Sequence, residues 1–238
     1  KGVIYMPAIT PKQKINQVRM FGGDNIEIVL IGDTFDECQE HALKHTALHE
    51  MTFIPPFDHL KVIEGQGTVA KEIFDELSNV DYIFVPIGGG GLCAGVSQYT
   101  LTYSPNTKIV GVEPQGAPSM KEALKAGKPV VLETIQRFVD GASVKKVGDI
   151  TFQLSKDSLV DMLLVPEGKV SSTILQLYNE DAIVAEPAGA LAIAALEQYA
   201  DRLKGTRVVC VVSGGNNDID RMQEIKERSL QYEGLKHY

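Results

Sequence analysis

Six short runs of apolar, mostly branched residues recur along this 238-residue chain, each followed by a turn or a helix-length segment. They are "VIYMP" (Val3 to Pro7), "IEIVLIG" (Ile26 to Gly32), "DYIFVPI" (Asp81 to Ile87), "KIVGVEP" (Lys108 to Pro114), "MLLVP" (Met162 to Pro166) and "RVVCVV" (Arg207 to Val212). A strand buried on both faces reads as a continuous apolar run, whereas a half-exposed strand alternates. Strands of this kind alternating with helices predict an α/β fold of parallel sheets flanked by helices. The double proline of "TFIPPFDH" breaks the pattern near Met51 to Asp58. Two subdomains are therefore expected, residues 1–50 as part of a smaller α/β unit and 51–238 as a larger one. The opening "KGVIYMPAITP" reads as a strand already under way, so the chain is expected to begin inside a domain.

Local signals sharpen some elements. Thr10 offers an N-cap and Pro11 a first helical position for the segment that follows. Asp33 or Thr34 caps a second helix running to about Glu50. In "GQGTVAKEIFDEL", Val69, Ile73 and Leu77 share one face, with Gln66, Gly67 and Thr68 opening the helix. Residues 128–161 carry no clear period.

The chain is 44% hydrophobic and 23% charged, with a net charge of -8. That is a globular composition, and the acidic balance disfavours nucleic acid and membrane surfaces as partners. No apolar run approaches the ~18 residues of a membrane span. Cys38, Cys93 and Cys210 show no paired spacing, which predicts a reduced, cytoplasmic protein without a metal cluster. His41, His45 and His49 recur at spacing four, and His59 follows. No acidic or cysteine partner accompanies them, so a solvated helix face is expected there.

The chemistry gathers in "VPIGGGGLCAG", Val85 to Gly95. Four glycines leave a strand and open a helix. A helix start has unpaired N–H groups and partial positive charge, and glycines let the backbone wrap closely around an anion. No Lys-Ser/Thr follows, so the run is not a P-loop. "VVSGGNND", Val211 to Asp218, is a second turn of this kind. Two such turns at strand C-termini should open on one edge of one parallel sheet. One would hold a phosphate and the other would present Ser213 to another part of the same ligand. From these residues alone an enzyme, a non-catalytic module binding a phosphorylated ligand, and a nucleotide-binding Rossmann domain all remain open.

A resemblance narrows the choice. "VPIGGGGLCAGV", "GVEP", "FVDGASVKKVGD", "AEPAGALAIAAL" and "VVSGGNND", in this order, resemble the pyridoxal-phosphate threonine ammonia-lyases (threonine dehydratases) of the tryptophan-synthase-β-like fold, the fold type II enzymes. "YMPAITPKQKINQVRMFG" and "FDHLKVIEGQGT" extend the similarity over the whole chain. The related serine/threonine dehydratases and serine racemases are the alternative. The resemblance implies that Gly88, Gly89, Gly90, Gly91 and Leu92 hold the phosphate of pyridoxal 5'-phosphate through backbone amides, and that Ser213 faces the pyridine nitrogen. A serine hydroxyl cannot keep that nitrogen protonated as a carboxylate would, which makes the ring a milder electron sink suited to β-elimination. It further implies an amino-acid substrate, L-threonine giving 2-oxobutanoate and ammonia on the route to isoleucine, and a homo-oligomer, dimer or tetramer.

The family's Schiff-base lysine lies in a Ser-aromatic-Lys-x-Arg-Gly motif upstream of the "MPAITP" segment, before a Ser-x-Gly-Asn-His loop. The sequence contains neither motif. "SVKK", Ser143 to Lys146, lacks the aromatic and the Arg-Gly and matches a later family segment. No catalytic lysine is therefore expected in the chain, which reads as an N-terminally incomplete catalytic domain, inactive alone. Glu113 resembles a metal ligand of serine racemases, but their acid six positions on is Ser119 here, so no metal is expected. Glu186, a charge at a helix start, reads either as an active-site neighbour or as a dipole-matched cap, and the cap is expected.

Overall fold

The computed structural model describes residues 1–236. The chain divides into two compact units. One takes in Lys1–Ile54 and a returning stretch, Asn216–Arg221, and the other Pro55–Gly215 with the chain from Met222 onward.

The smaller unit contains β1 (Gly2–Met6), α1 (Lys12–Gly22), β2 (Ile26–Leu30) and α2 (Phe35–Leu48). β1 and β2 pair in parallel, from Gly2 opposite Ile26 to Met6 opposite Leu30. Thr34 caps α2 by accepting from the Glu37 amide at 3.1 Å, and the Glu37 carboxylate reaches back to the Asp33 amide at 2.8 Å. This reciprocal pair is a capping box, written locally in T-x-x-E. The start of α1 departs from the sequence expectation. Thr10 does not cap it. Pro11 takes the cap position without a side-chain bond, and the Asp218 carboxylate accepts the Lys12 and Gln13 amides at 2.7 Å each. A carboxylate with two oxygens serves two orphan donors, where a hydroxyl serves one. On α2 the rings of His45 and His49 lie 4.3 Å apart, and His45 also tilts against Tyr5. Among the described residues no three His, Cys, Asp or Glu side chains converge as a metal site.

The larger unit runs α3 (Leu60–Glu76), β3 (Tyr82–Pro86), α4 (Gly91–Tyr103), β4 (Lys108–Pro114), α5 (Ser119–Ala126), α6 (Asp149–Ser155), β5 (Leu159–Val165), α7 (Glu167–Asp181), α8 (Pro187–Ala194), α9 (Ala200–Leu203), β6 (Val208–Cys210) and α10 (Met222–Tyr232). Its four strands are all parallel, in the order β5-β4-β3-β6. Every residue of β3 is buried. Alternate side chains serve opposite faces. Tyr82, Phe84, Val110 and Val112 pack with α7 and α8 residues such as Val170, Ile174 and Leu191. Ile83, Val85 and Ile109 pack with Ala70, Val96, Met120 and Phe152 from α3 to α6.

Three details differ from the sequence reading. The fully buried residues of α3 are Ile63, Gly67 and Ala70; Val69 and Ile73 pack, partly buried, against the same core as expected, but Leu77 lies beyond the helix and is exposed. Gly67 lies in mid-helix because α3 and α4 cross there: a Cβ on Gly95 would sit 2.5 Å from both the Gly67 nitrogen and the Ile63 carbonyl. β5 starts three residues earlier than "MLLVP" suggests, and a register shift beside Ile109 and Val110 accounts for its irregular start. Among the described residues no helix is long and apolar enough to cross a membrane.

Candidate cofactor site

β3, β4 and β5 step outward in one direction, and the chain then returns to place β6 on the other side of β3. The connection after β3 packs α4 on one face, while α7 and α8, which lead to β6, pack on the other. The C-terminal ends of β3 and β6 are thus a switch point, where departing chains leave a crevice. Cys210 lies opposite Phe84, and the Val211 amide donates to the Phe84 carbonyl. The run from Gly88 to Leu92 and the turn carrying Ser213 therefore leave neighbouring strands at the same edge. Ser213 is exposed; Gly88, Gly89 and Leu92 are partly exposed; Gly90 and Gly91 are buried.

The loop is shaped by what a side chain would strike. Gly90 caps α4 at φ +94°, a left-handed conformation that favours glycine. A Cβ on Gly89 would fall 2.4 Å from the Phe57 ring, and one on Gly88 would fall 2.9 Å from the Ala142 Cα. The "GAS" of Gly141 to Ser143 thus underlies the glycine run. The first hydrogen bond of α4 runs from the Ala94 amide to the Gly90 carbonyl at 2.8 Å. The amides of Gly91, Leu92 and Cys93 consequently have no carbonyl to meet within the helix, and they stand at the positive end of its dipole. Such a helix start is suited to a small anion.

Glu186 occupies the N-cap position of α8, yet its side chain makes no cap bond. Its amide donates to the Gly214 carbonyl at 3.0 Å. Its carboxylate lies where a Cβ on Gly214 would be 2.6 Å away and one on Gly141 3.2 Å away. Glu186 is thus packed beside the Ser213 turn. The signal was present, since "AEPAGA" carries an acid before a proline-started helix, but its partners come from two distant glycines.

Glu113, at the end of β4, is fully buried. It accepts from the Met120 amide at 2.6 Å, the Lys121 amide at 3.0 Å and the Ser119 hydroxyl at 3.3 Å, so it caps α5. Burial pushes its carboxyl up from 4.5 to about 7, against these hydrogen bonds, which favour the ionised form. Burial also pushes the Cys93 thiol up to about 11 and Cys210 up to about 12, so neither is a thiolate nucleophile at neutral pH. Lys146 is partly buried and pairs with Asp149 at 3.1 Å.

A profile of the family described as pyridoxal-phosphate dependent enzyme matches residues 1–214. The chain belongs to the pyridoxal-phosphate-dependent enzymes. The L-threonine dehydratase biosynthetic IlvA of Halalkalibacterium halodurans is 58% identical to it over 238 residues, 100% of this chain and 57% of the relative. The processed form of threonine deaminase isoform 2 from Solanum lycopersicum superposes with a TM-score of 0.87 at 40% identity, covering 98% of this chain and 63% of that one. Serine racemase from Dictyostelium discoideum superposes at 0.78 with 28% identity, covering 91% and 69%. The chain spans about 57% of the length of the curated relatives it matches. As a pyridoxal-phosphate-dependent enzyme it has the α/β architecture of parallel sheets expected from its sequence. The room a Cβ would take at Gly89 and Gly88 is filled by Phe57 and Ala142, so the run admits no side chain there and its unpaired helix-start amides are what it offers to an anion such as the cofactor's phosphate.

Proposed function

We propose that this chain is the cofactor-binding portion of a threonine dehydratase, a cytoplasmic homo-oligomeric enzyme that converts L-threonine to 2-oxobutanoate and ammonia on the way to isoleucine. The observation that carries the proposal is a pairing: a backbone anion cradle and a serine turn on one sheet edge, in a chain 58% identical along its whole length to a biosynthetic threonine dehydratase. In this reading the amides of Gly88 to Leu92 bind the phosphate. The Ser213 hydroxyl meets the ring nitrogen as a neutral donor, and Glu186 borders the same turn. Bound pyridoxal phosphate supplies an electron sink for loss of the α-proton and the β-hydroxyl. The sequence has no Ser-aromatic-Lys-x-Arg-Gly motif, so the proton transfer is assigned to no residue here. Exposed Leu101, Tyr103, Val131 and Tyr178 on the larger unit favour association with further protein surface.

The test is a chimera in which this sequence replaces the matching segment of the Halalkalibacterium halodurans enzyme. Threonine-dependent 2-oxobutanoate formation is expected. A folded, cofactor-loaded chimera that acts on serine and ignores threonine would favour the serine dehydratase or racemase alternative. One that acts on neither would overturn the proposal.

A further inference from the structure

The glycine loop is held from behind. The Gly89 carbonyl accepts the Thr151 hydroxyl at 2.7 Å and the Gly148 amide at 3.1 Å. A peptide unit is planar and trans, so its C=O and N–H point in opposite directions. Fixing the Gly89 oxygen toward the start of α6 therefore aims the Gly90 N–H away from α6. Thr151 has a local alternative, the Gly148 carbonyl at 3.2 Å, but its shorter contact is the one to the loop. Thr151 is fully buried.

Thr151 is itself fixed from outside its helix. Asp58 Oδ1 accepts the Ile150 and Thr151 amides at 2.9 and 3.0 Å, and Oδ2 accepts the Asp149 amide at 3.0 Å. Gly148, the cap residue, has no side chain to do this, and a Cβ there would meet Asp58 Oδ1 at 2.2 Å. The neighbour of Asp58, Phe57, lays its ring where a Cβ on Gly89 would project, and a Cβ on Gly91 would meet the Phe57 Cβ at 3.0 Å. One dipeptide thus braces the loop twice, through a ring on its glycines and through a carboxylate that locks the helix donating to Gly89.

We propose that Asp58 and Thr151 are positioning residues for the anion cradle: they set the orientation of the Gly89–Gly90 peptide, and so the aim of an amide that binds phosphate, without touching the ligand. The proposal rests on Gly88 to Leu92 being the phosphate site. Thr151→Val replaces the hydroxyl by a methyl of nearly equal size. A methyl needs about 3.5 Å from the carbonyl oxygen, so the Gly89–Gly90 peptide must turn. Asp58→Asn keeps one acceptor oxygen and loses the second.

The experiment is calorimetric titration of the full chain with pyridoxal phosphate and, separately, with pyridoxal, which lacks the phosphate. Thr151→Val should weaken pyridoxal phosphate about tenfold, the effect of losing one buried hydrogen bond, and leave pyridoxal unchanged. Thr151→Ser should restore the parent preference, and Asp58→Asn should shift it in the same direction as Thr151→Val but less. If the parent prefers pyridoxal phosphate and the variants keep that preference, the positioning role is overturned while the phosphate site stands. If the variants lose both ligands equally, the two residues only hold the fold, and the proposal is again overturned. A parent with no preference for the phosphorylated form would remove the phosphate site and the proposal together.

Discussion

At Gly90 two constraints coincide. Its φ of +94° suits glycine, and a Cβ there would lie 2.8 Å from the Thr151 hydroxyl oxygen. The four-glycine run was legible in the sequence because glycine is the residue that tolerates both demands. Phe57 and Thr151 were not legible as its neighbours, because each is an ordinary residue made specific by what it faces. Ser213 was singled out from its turn, and it stands exposed beyond β6. In the chimera, Ser213→Ala should lower threonine turnover about tenfold, in line with loss of one hydrogen bond to the ring. Pyridoxal phosphate binding should be much less affected, since the phosphate cradle is intact. Turnover equal to the parent would make Ser213 a turn residue and nothing more.

Among the elements, three helices share a habit. α1, α5 and α6 follow Pro11, Pro118 and Gly148, none of which makes a side-chain cap bond. Their first amides are met instead by Asp218, Glu113 and Asp58. For Glu113 this has a pH signature. The unfolded carboxyl ionises at 4.5 and the folded one at about 7, so between these values the native state holds more protons. Its contribution is full below pH 4.5 and is lost as pH rises through about 7. The shift corresponds to roughly 3 kcal/mol. Urea unfolding of the chain should show this decline, and Glu113→Gln should remove it; identical pH profiles would refute the assignment. The α3–α4 crossing gives a second prediction at this scale. A Cβ at Gly95 would press on backbone at 2.5 Å, which cannot move aside as a flexible side chain would. Gly95→Ala should cost about 1–3 kcal/mol despite alanine's better helix propensity, read as a lower urea midpoint. An unchanged or raised midpoint would show that the two helices have room to separate.

At the scale of the molecule, the 238 residues contain the glycine run proposed to hold the phosphate but not the family's lysine motif. The chain alone should therefore bind pyridoxal phosphate weakly and form no 2-oxobutanoate from threonine at an enzymatic rate, since a positioned base contributes about 10²–10⁴-fold by itself. Rapid turnover, with a borohydride-reducible adduct on a lysine such as Lys145 or Lys146, would refute this. The sequence by itself determined the parallel α/β architecture and placed the glycine run and the Ser213 turn at strand ends, and it narrowed the cap of α2 to Asp33 or Thr34. Each follows from short-range facts: apolar runs, glycines after a strand, and small polar residues before a helix. Only the tertiary structure decided which carboxylates cap α1, α5 and α6, why Gly67 and Gly95 are glycines, and what braces the loop from behind. Asp58 lies about ninety positions from the amides it accepts and Asp218 more than two hundred. Orphan amides take whatever acceptor the assembled fold brings within 3 Å, and no local pattern records which residue that will be.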